Sequence, residues 1–144
     1  MIKGILIVTL IEYAKSFIGT PYIWGANGGG AFDCSGYVQE VLSFYGLDPK
    51  GDQTAQTLYN HFVKESNGSG IQKNSLLFFG RSVSNISHVG IAINANQFIE
   101  AGGGGSNCKT FEDARKYKAH VRIRPILNRR DLVAALKIKP LLEN

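Results

Sequence analysis

The chain reads as an α+β protein in which helices from its first half pack on a central antiparallel β-sheet from its second half. Three observations predict this. Apolar residues recur at helical spacing in three segments before residue 65, the period changes to two beyond Gly70, and Asn94-Ala95-Asn96 joins two alternating segments as a hairpin turn.

The first helix is expected over residues 9–18, where Leu10, Ala14, Phe17 and Ile18 share a face, and Gly19-Thr20-Pro21 stops it. The second is expected over residues 34–45, with Tyr37, Val38, Val41, Leu42 and Tyr45 as its apolar stripe and Gly46 closing it. A third, over residues 54–64, repeats Leu58, His61 and Phe62, after which Asn67-Gly68-Ser69-Gly70 breaks the chain. Strands are expected at residues 76–79, 89–94, 98–101 and 120–126. A short helix over residues 110–116 takes Thr110 as N-cap, with Glu112 and Asp113 well placed in its first turn. Residues 131–142 fit helix or strand equally, and that choice stays open.

With 144 residues, 44% hydrophobic and 19% charged, the chain can bury one core, so residues 1–144 are expected to form a single domain with one site. A disordered chain is excluded. The longest apolar stretch, residues 4–11, falls far short of the roughly 18 residues of a membrane-spanning helix, so no span is expected. Glu12 and Lys15 follow that stretch directly and no small-x-small cleavage site appears, which reads as a mature N-terminus without a signal peptide. Two cysteines, Cys34 and Cys108, are too few for a disulfide scaffold, and no C-x-x-C or H-x-x-x-H spacing suggests zinc; no metal and no cofactor are expected. The net charge of +5 is uneven. From Lys109 onward there are 10 basic and 4 acidic residues, and before it 6 and 7. An anionic partner, such as a wall polymer or a nucleic acid, would meet this C-terminal quarter, although basic residues guarding a strand edge against aggregation would read the same way.

Residues 25–37, GANGGGAFDCSGY, run from a glycine-loosened loop into the second helix, so Cys34 falls at its N-terminus. Free amides and the positive end of a helix dipole stabilise a thiolate there, especially beside a cationic histidine. Cysteine is also a common small buried hydrophobe, but polar Asp33 and Ser35 flank this one. Cys108 keeps the buried-hydrophobe reading. A nucleophilic cysteine needs a base, for which His61, His88 and His120 compete. His88 stands at the head of a strand whose Val89, Ile91 and Ile93 alternate with Gly90 and Ala92. The small face shared by His88, Gly90 and Ala92 is expected to let the cysteine helix approach. If the next hairpin turns about Asn94, residue 100 lies directly opposite residue 88, so Glu100 would accept the ring N–H and fix the tautomer. A one-residue slip would send Glu100 to the other face.

Ala14-Lys-Ser-Phe-Ile-Gly-Thr-Pro-Tyr-Ile-Trp-Gly25, Asp33-Cys-Ser-Gly36, Leu77-Phe-Phe79 and Ser87-His-Val-Gly-Ile91 together resemble, in order and spacing, the NlpC family of papain-like cell-wall cysteine peptidases. The resemblance spans residues 12 to about 102. It implies a papain-like α+β fold, Cys34 as nucleophile, His88 as base, and Glu100 where the family usually has a third, histidine, residue. It further implies that Tyr22 helps hold the oxyanion and that Asp33, Ser35 and Trp24 line the substrate pocket. The implied substrate is a peptidoglycan stem peptide, cut between D-glutamate and a diamino acid. An acyltransferase or amidase on the same Cys-His site and a non-catalytic polyanion-binding module are the alternatives. Two departures stand out, Asn74-Ser75 in place of Gly-Asp and Glu at position 100. A lone catalytic domain with a Glu-Ala-Gly-Gly-Gly loop resembles the phage or prophage branch, whose expected partners at the basic quarter are an anionic wall polymer or virion proteins; the compartment stays unknown.

Overall fold

The computed structural model describes residues 8–141. The reading of the N-terminus as mature falls on residues 1–7 and lies outside the described residues, as does Leu142. Helix α1, Leu10–Lys15, begins with a reciprocal capping box in which the Glu12 amide donates to Thr9 Oγ1 at 3.1 Å and the Thr9 amide donates to Glu12 Oε2 at 3.3 Å. It ends before Phe17 and Ile18, earlier than the periodicity suggests. Tight turns replace the helix there: the Phe17 and Ile18 amides donate three residues back, and Gly19 leaves the turn at φ +92. Helix α2, Cys34–Ser43, and helix α3, Ala55–Phe62, start where expected, the latter capped by Thr54. Helix α4, Phe111–Tyr117, is capped by Thr110 and closed by a left-handed Lys118.

Six strands form one antiparallel sheet: β1 Ser66–Ser69, β2 Leu76–Ser82, β3 Asn85–Ala92, β4 Gln97–Gly102, β5 His120–Pro125 and β6 Leu132–Ile138, in the spatial order β1-β6-β2-β3-β4-β5. Two elements differ from the expectation. The Asn67-Gly68-Ser69 segment is an edge strand and not only a break, because pairing with β6 needs backbone groups alone and tolerates the irregular register between Ser66 and Ser69. In the open segment 131–142, residues 132–138 form a strand and residues 139–141 a single 3-10 turn. β6 is inserted between β1 and β2 and meets apolar side chains on both faces, so it shows neither helical nor alternating periodicity.

The larger core lies on the helix side, where Val38, Val41 and Leu42 of α2 and Leu58 and Phe62 of α3 meet Leu76, Phe78, Val89, Ile91, Ile99 and Val121. The far face carries Leu77, Phe79, Ala92 and Phe98. This reverses one expectation. The helices pack on the Val89/Ile91 face, not on the small Gly90/Ala92 face, because branched side chains bury more apolar area against the helix stripe. The small face serves another purpose: a β-carbon on Gly90 would lie 2.8 Å from Phe98 Cδ2, so the glycine admits the Phe98 ring.

Candidate active site

Cys34 is the first residue of α2 and is partly exposed. Asp33 is the N-cap; its Oδ1 accepts from the Gly36 amide at 2.7 Å and from the Ser35 hydroxyl at 3.3 Å. This holds the first turn of the helix and its free amides around the thiol. The Asp33 amide donates to the Ala26 carbonyl at 2.6 Å, pressing that turn onto the preceding loop. Gly36 is what permits the approach: a β-carbon there would lie 2.6 Å from Ala26 O and 2.9 Å from Asn27 Cα, both backbone atoms that cannot swing aside. Gly36→Ala is therefore expected to destabilise the fold by about 1–3 kcal/mol, read as a lower thermal midpoint. An unchanged midpoint would contradict this account of the Asp-Cys-Ser-Gly turn.

His88 lies inside β3, which begins at Asn85, and not at a strand head. Phe79 pairs with His88 but Gly80 pairs with Ile86, so β3 carries an extra residue at this point. The bulge explains how Ile86 and Val89, three residues apart, both reach the helix-side core. It also turns His88 between two partners on different elements. Cys34 and Glu100 both raise its pKa, by hydrogen bonding and by charge. Burial alone would lower that pKa; the two partners outweigh burial and raise it to about 9. The His88 Nε2 to Glu100 Oε1 distance is 2.7 Å.

Glu100 reaches His88 by a different register from the one expected. The observed pairs Ile91↔Ile99 and Ala92↔Phe98 centre the hairpin on residue 95, not 94. Carried along the strands, that register sets residue 102 opposite His88 and leaves Glu100 one pair closer to the turn. The parity is preserved, so Glu100 stays on the His88 face and makes the contact diagonally. The turn is the expected Asn94-Ala95-Asn96, closed by the Ile93 amide donating to the Gln97 carbonyl at 3.0 Å and by Asn94 Oδ1 accepting from the Asn96 and Gln97 amides, and its centre is residue 95 and not the first residue of the turn.

Glu100 is nearly inaccessible, at 3% exposure, and is held by more than the histidine. Arg122, directly opposite it on β5, donates from Nε to Glu100 Oε2 at 3.0 Å. Arg129 Nη1 lies 3.9 Å from Glu100 Oε1 while its Nε and Nη2 donate to Asp131 at 2.9 and 3.0 Å, and its guanidinium sits 4.2 Å from the Phe79 ring centre. Burial would raise the Glu100 pKa, but His88 and Arg122 outweigh it and hold the carboxyl down at about 2. The sequence reading missed both arginines. Arg122 was detectable in principle from strand alternation, whereas Arg129 comes from the loop before β6 and carries no local signal.

A cleft of about 700 Å³ joins these groups to Tyr22, Trp24, Asp33, Ser35, Asp52 and Thr54. Tyr22 is buried, and burial followed by the charges of Cys34 and Asp33 keeps its phenol protonated well above the usual range, so it remains a donor. Trp24 is 56% exposed and forms a wall. All seven sequence-selected residues thus border one cleft. His61 lies by Glu65 on α3 and His120 pairs across the sheet with Gly102, and neither lines it. Cys108 is fully buried, its thiol donating to the Tyr22 carbonyl at 3.1 Å, in keeping with the buried-hydrophobe reading. Part of the basic C-terminal excess is turned inward, since Arg122 and Arg129 line the cleft. Among the described residues no helix is long and apolar enough to cross a membrane.

Comparison with known proteins places the chain among relatives. The chain is 39% identical over 92 residues to a probable endopeptidase p60 of Listeria grayi, covering 64% of this chain and 17% of that protein. It is 34% identical over 105 residues to the probable peptidoglycan endopeptidase LytE of Bacillus subtilis, covering 73% and 30%. The chain therefore spans less than a third of the length of either relative. The crystal structure of the NlpC/p60 domain of the peptidoglycan hydrolase SagA superimposes with a TM-score of 0.61 at 26% identity, over 90% of this chain and 97% of that one. The sequence model of the NlpC/P60 family matches residues 19–124, which include the α2 head and strands β2 to β4, and the chain belongs to that family.

Proposed function

We propose that this protein is a cysteine peptidase that hydrolyses an amide bond in peptidoglycan stem peptides, the bond between D-glutamate and a diamino acid, through a thioester on Cys34. The observation that carries this reading is the chain of contacts from Cys34 at a helix N-terminus, through the His88 ring, to the buried Glu100 carboxylate. The Cys34 sulfur attacks the peptide carbonyl carbon, and the oxyanion is met by the open amides of the first turn of α2 and by the Tyr22 hydroxyl. His88 delivers its proton to the departing amine as the C–N bond breaks. It then takes a proton from water, which attacks the thioester and frees the acid and the thiolate. Glu100 keeps Nε2–H of His88 occupied, which leaves the other ring nitrogen to exchange the proton in the reaction. Asp33, Ser35 and Trp24 form the wall against which the stem peptide is held.

The test is digestion of purified peptidoglycan and of defined stem peptides, with the fragments weighed. Two fragments whose masses differ from the substrate by one water in total, with a new amine on the diamino acid, are expected. A transfer product in place of hydrolysis would assign the site to an acyltransferase, and intact substrate bound without cleavage would assign the protein to a binding role.

A further inference from the structure

The glycine run at residues 102–105 borders the cleft, yet Gly102 does not need the backbone freedom for which glycine is usually required. It is the last residue of β4, and its φ lies outside the left-handed region. What its missing side chain supplies is space. A β-carbon at residue 102 would lie 2.9 Å from Glu100 Oε2, 3.2 Å from Glu100 Cδ and 3.5 Å from His88 Cε1. These are its three nearest neighbours, and they are the two members of the ion pair. The hairpin register points to the reason: extending the Ile91↔Ile99 and Ala92↔Phe98 pairs along the strands brings residue 102, not residue 100, opposite His88, so Glu100 reaches across it to make the 2.7 Å contact. The next glycine leaves room for the arginine that holds the carboxylate, and unlike Gly102 it also needs a left-handed backbone. A β-carbon on Gly103, at φ +113, would lie 2.9 Å from Arg122 Nη1 and 3.1 Å from Ala119 Cα.

We propose that Gly102 is a positioning residue: its bare Cα is the lane through which the Glu100 carboxylate reaches His88, and a side chain there separates the pair while leaving the fold intact. This rests on the reading of Cys34 and His88 as nucleophile and base. Among the described residues, Glu100 is the one acid in direct contact with His88; the other ionisable groups around the ring are Cys34 from α2, Arg122 from β5, and Arg129 and Asp131 from the loop before β6. Displacing Glu100 therefore withdraws the main negative partner on the sheet side, and a β-carbon at residue 102 would fall within 2.9 Å of the carboxylate oxygen that has to move.

The experiment is an NMR titration of the His88 ring, with Gly102→Ala, Glu100→Ala and the double variant measured beside the wild type, and kcat and KM on a stem peptide in parallel. In Gly102→Ala the His88 midpoint should fall by about 1 pH unit or more. Its kcat should fall about 10- to 100-fold with KM little changed, since only the orientation of the base is disturbed. In the Glu100→Ala background the same glycine substitution should have no further effect on either readout, because the group it acts through is gone. A wild-type midpoint in Gly102→Ala, an equal loss in both backgrounds, or an unfolded Gly102→Ala by circular dichroism would each overturn the proposal. If the wild type cleaves no stem peptide, the reading of the site as a peptidase fails, while the titration still decides the role of Gly102.

Discussion

Cys34→Ala is expected to lower kcat for stem-peptide hydrolysis by about 10⁶-fold, the scale on which enzymes that act through a nucleophile and its base lose rate when either is removed. The change removes the sulfur that forms the thioester and nothing that holds the helix. Asp33 still caps α2 through the Gly36 amide, and Cys34 contributes to the core only as a partly buried side chain at its margin. Thermal unfolding should therefore stay within about 1 kcal/mol of the wild type, since small changes at partly exposed positions cost little. Binding of uncleaved stem peptide should persist, because Tyr22, Trp24, Asp33 and Ser35 are untouched. The combination matters: lost turnover with retained fold and retained binding is what a nucleophile predicts. Retained turnover in Cys34→Ala would remove the thioester from the mechanism altogether.

The second large effect is expected from His88→Gln. Glutamine keeps a polar group against Glu100 but cannot carry a proton to the leaving amine, so amide hydrolysis should fall by about 10⁴- to 10⁶-fold. An activated aryl ester departs without that proton, and its hydrolysis should suffer a much smaller loss. Equal losses on amide and ester would contradict the role of His88 as proton donor. The pH dependence gives a second, independent readout. His88 is raised from 6.5 in the unfolded chain to about 9, so the stability it contributes is complete below pH 6.5 and disappears as the pH climbs to about 9. Glu100 is lowered from 4.5 to about 2, so its contribution is complete above pH 4.5 and disappears as the pH drops towards 2. The wild-type thermal midpoint should accordingly be highest between about pH 4.5 and 6.5 and decline on both sides. His88→Gln should abolish the decline on the alkaline side. If the variant and the wild type decline in parallel between pH 6.5 and 9, His88 with its partners Cys34 and Glu100 is not the source.

The balance of charge around Glu100 explains why a carboxylate is tolerated so deep in the sheet. A buried acid whose only partner was a histidine would lose its counter-charge whenever the histidine was neutral, and keeping it ionised would then cost several kcal/mol. Arg122 removes that dependence. It satisfies Oε2 permanently, leaving Oε1 for His88, and Arg129 adds a third positive group that Asp131 in turn compensates.

Much of this was legible in the amino-acid sequence because it depends on local rules. Helical spacing marked α2 and α3, Thr110 marked the start of α4, and the Asp-Cys-Ser-Gly segment declared a polar helix head carrying a thiol. Alternation placed Glu100 and His88 on one side of the sheet even though the hairpin register was misjudged, since the error of one pair preserves parity. What the chain alone did not reveal depends on contacts between distant segments. Whether residues 132–138 form a strand was decided by the gap between β1 and β2 that they fill. Which face of β3 meets the helices was decided by the area that Val89 and Ile91 bury against α2 and α3. The bulge that turns His88 towards Cys34, and the arrival of Arg129 beside Glu100, follow from how the sheet twists and which loops it brings together. Periodicity reports the side on which a residue lies; only packing in three dimensions selects the neighbour it meets there.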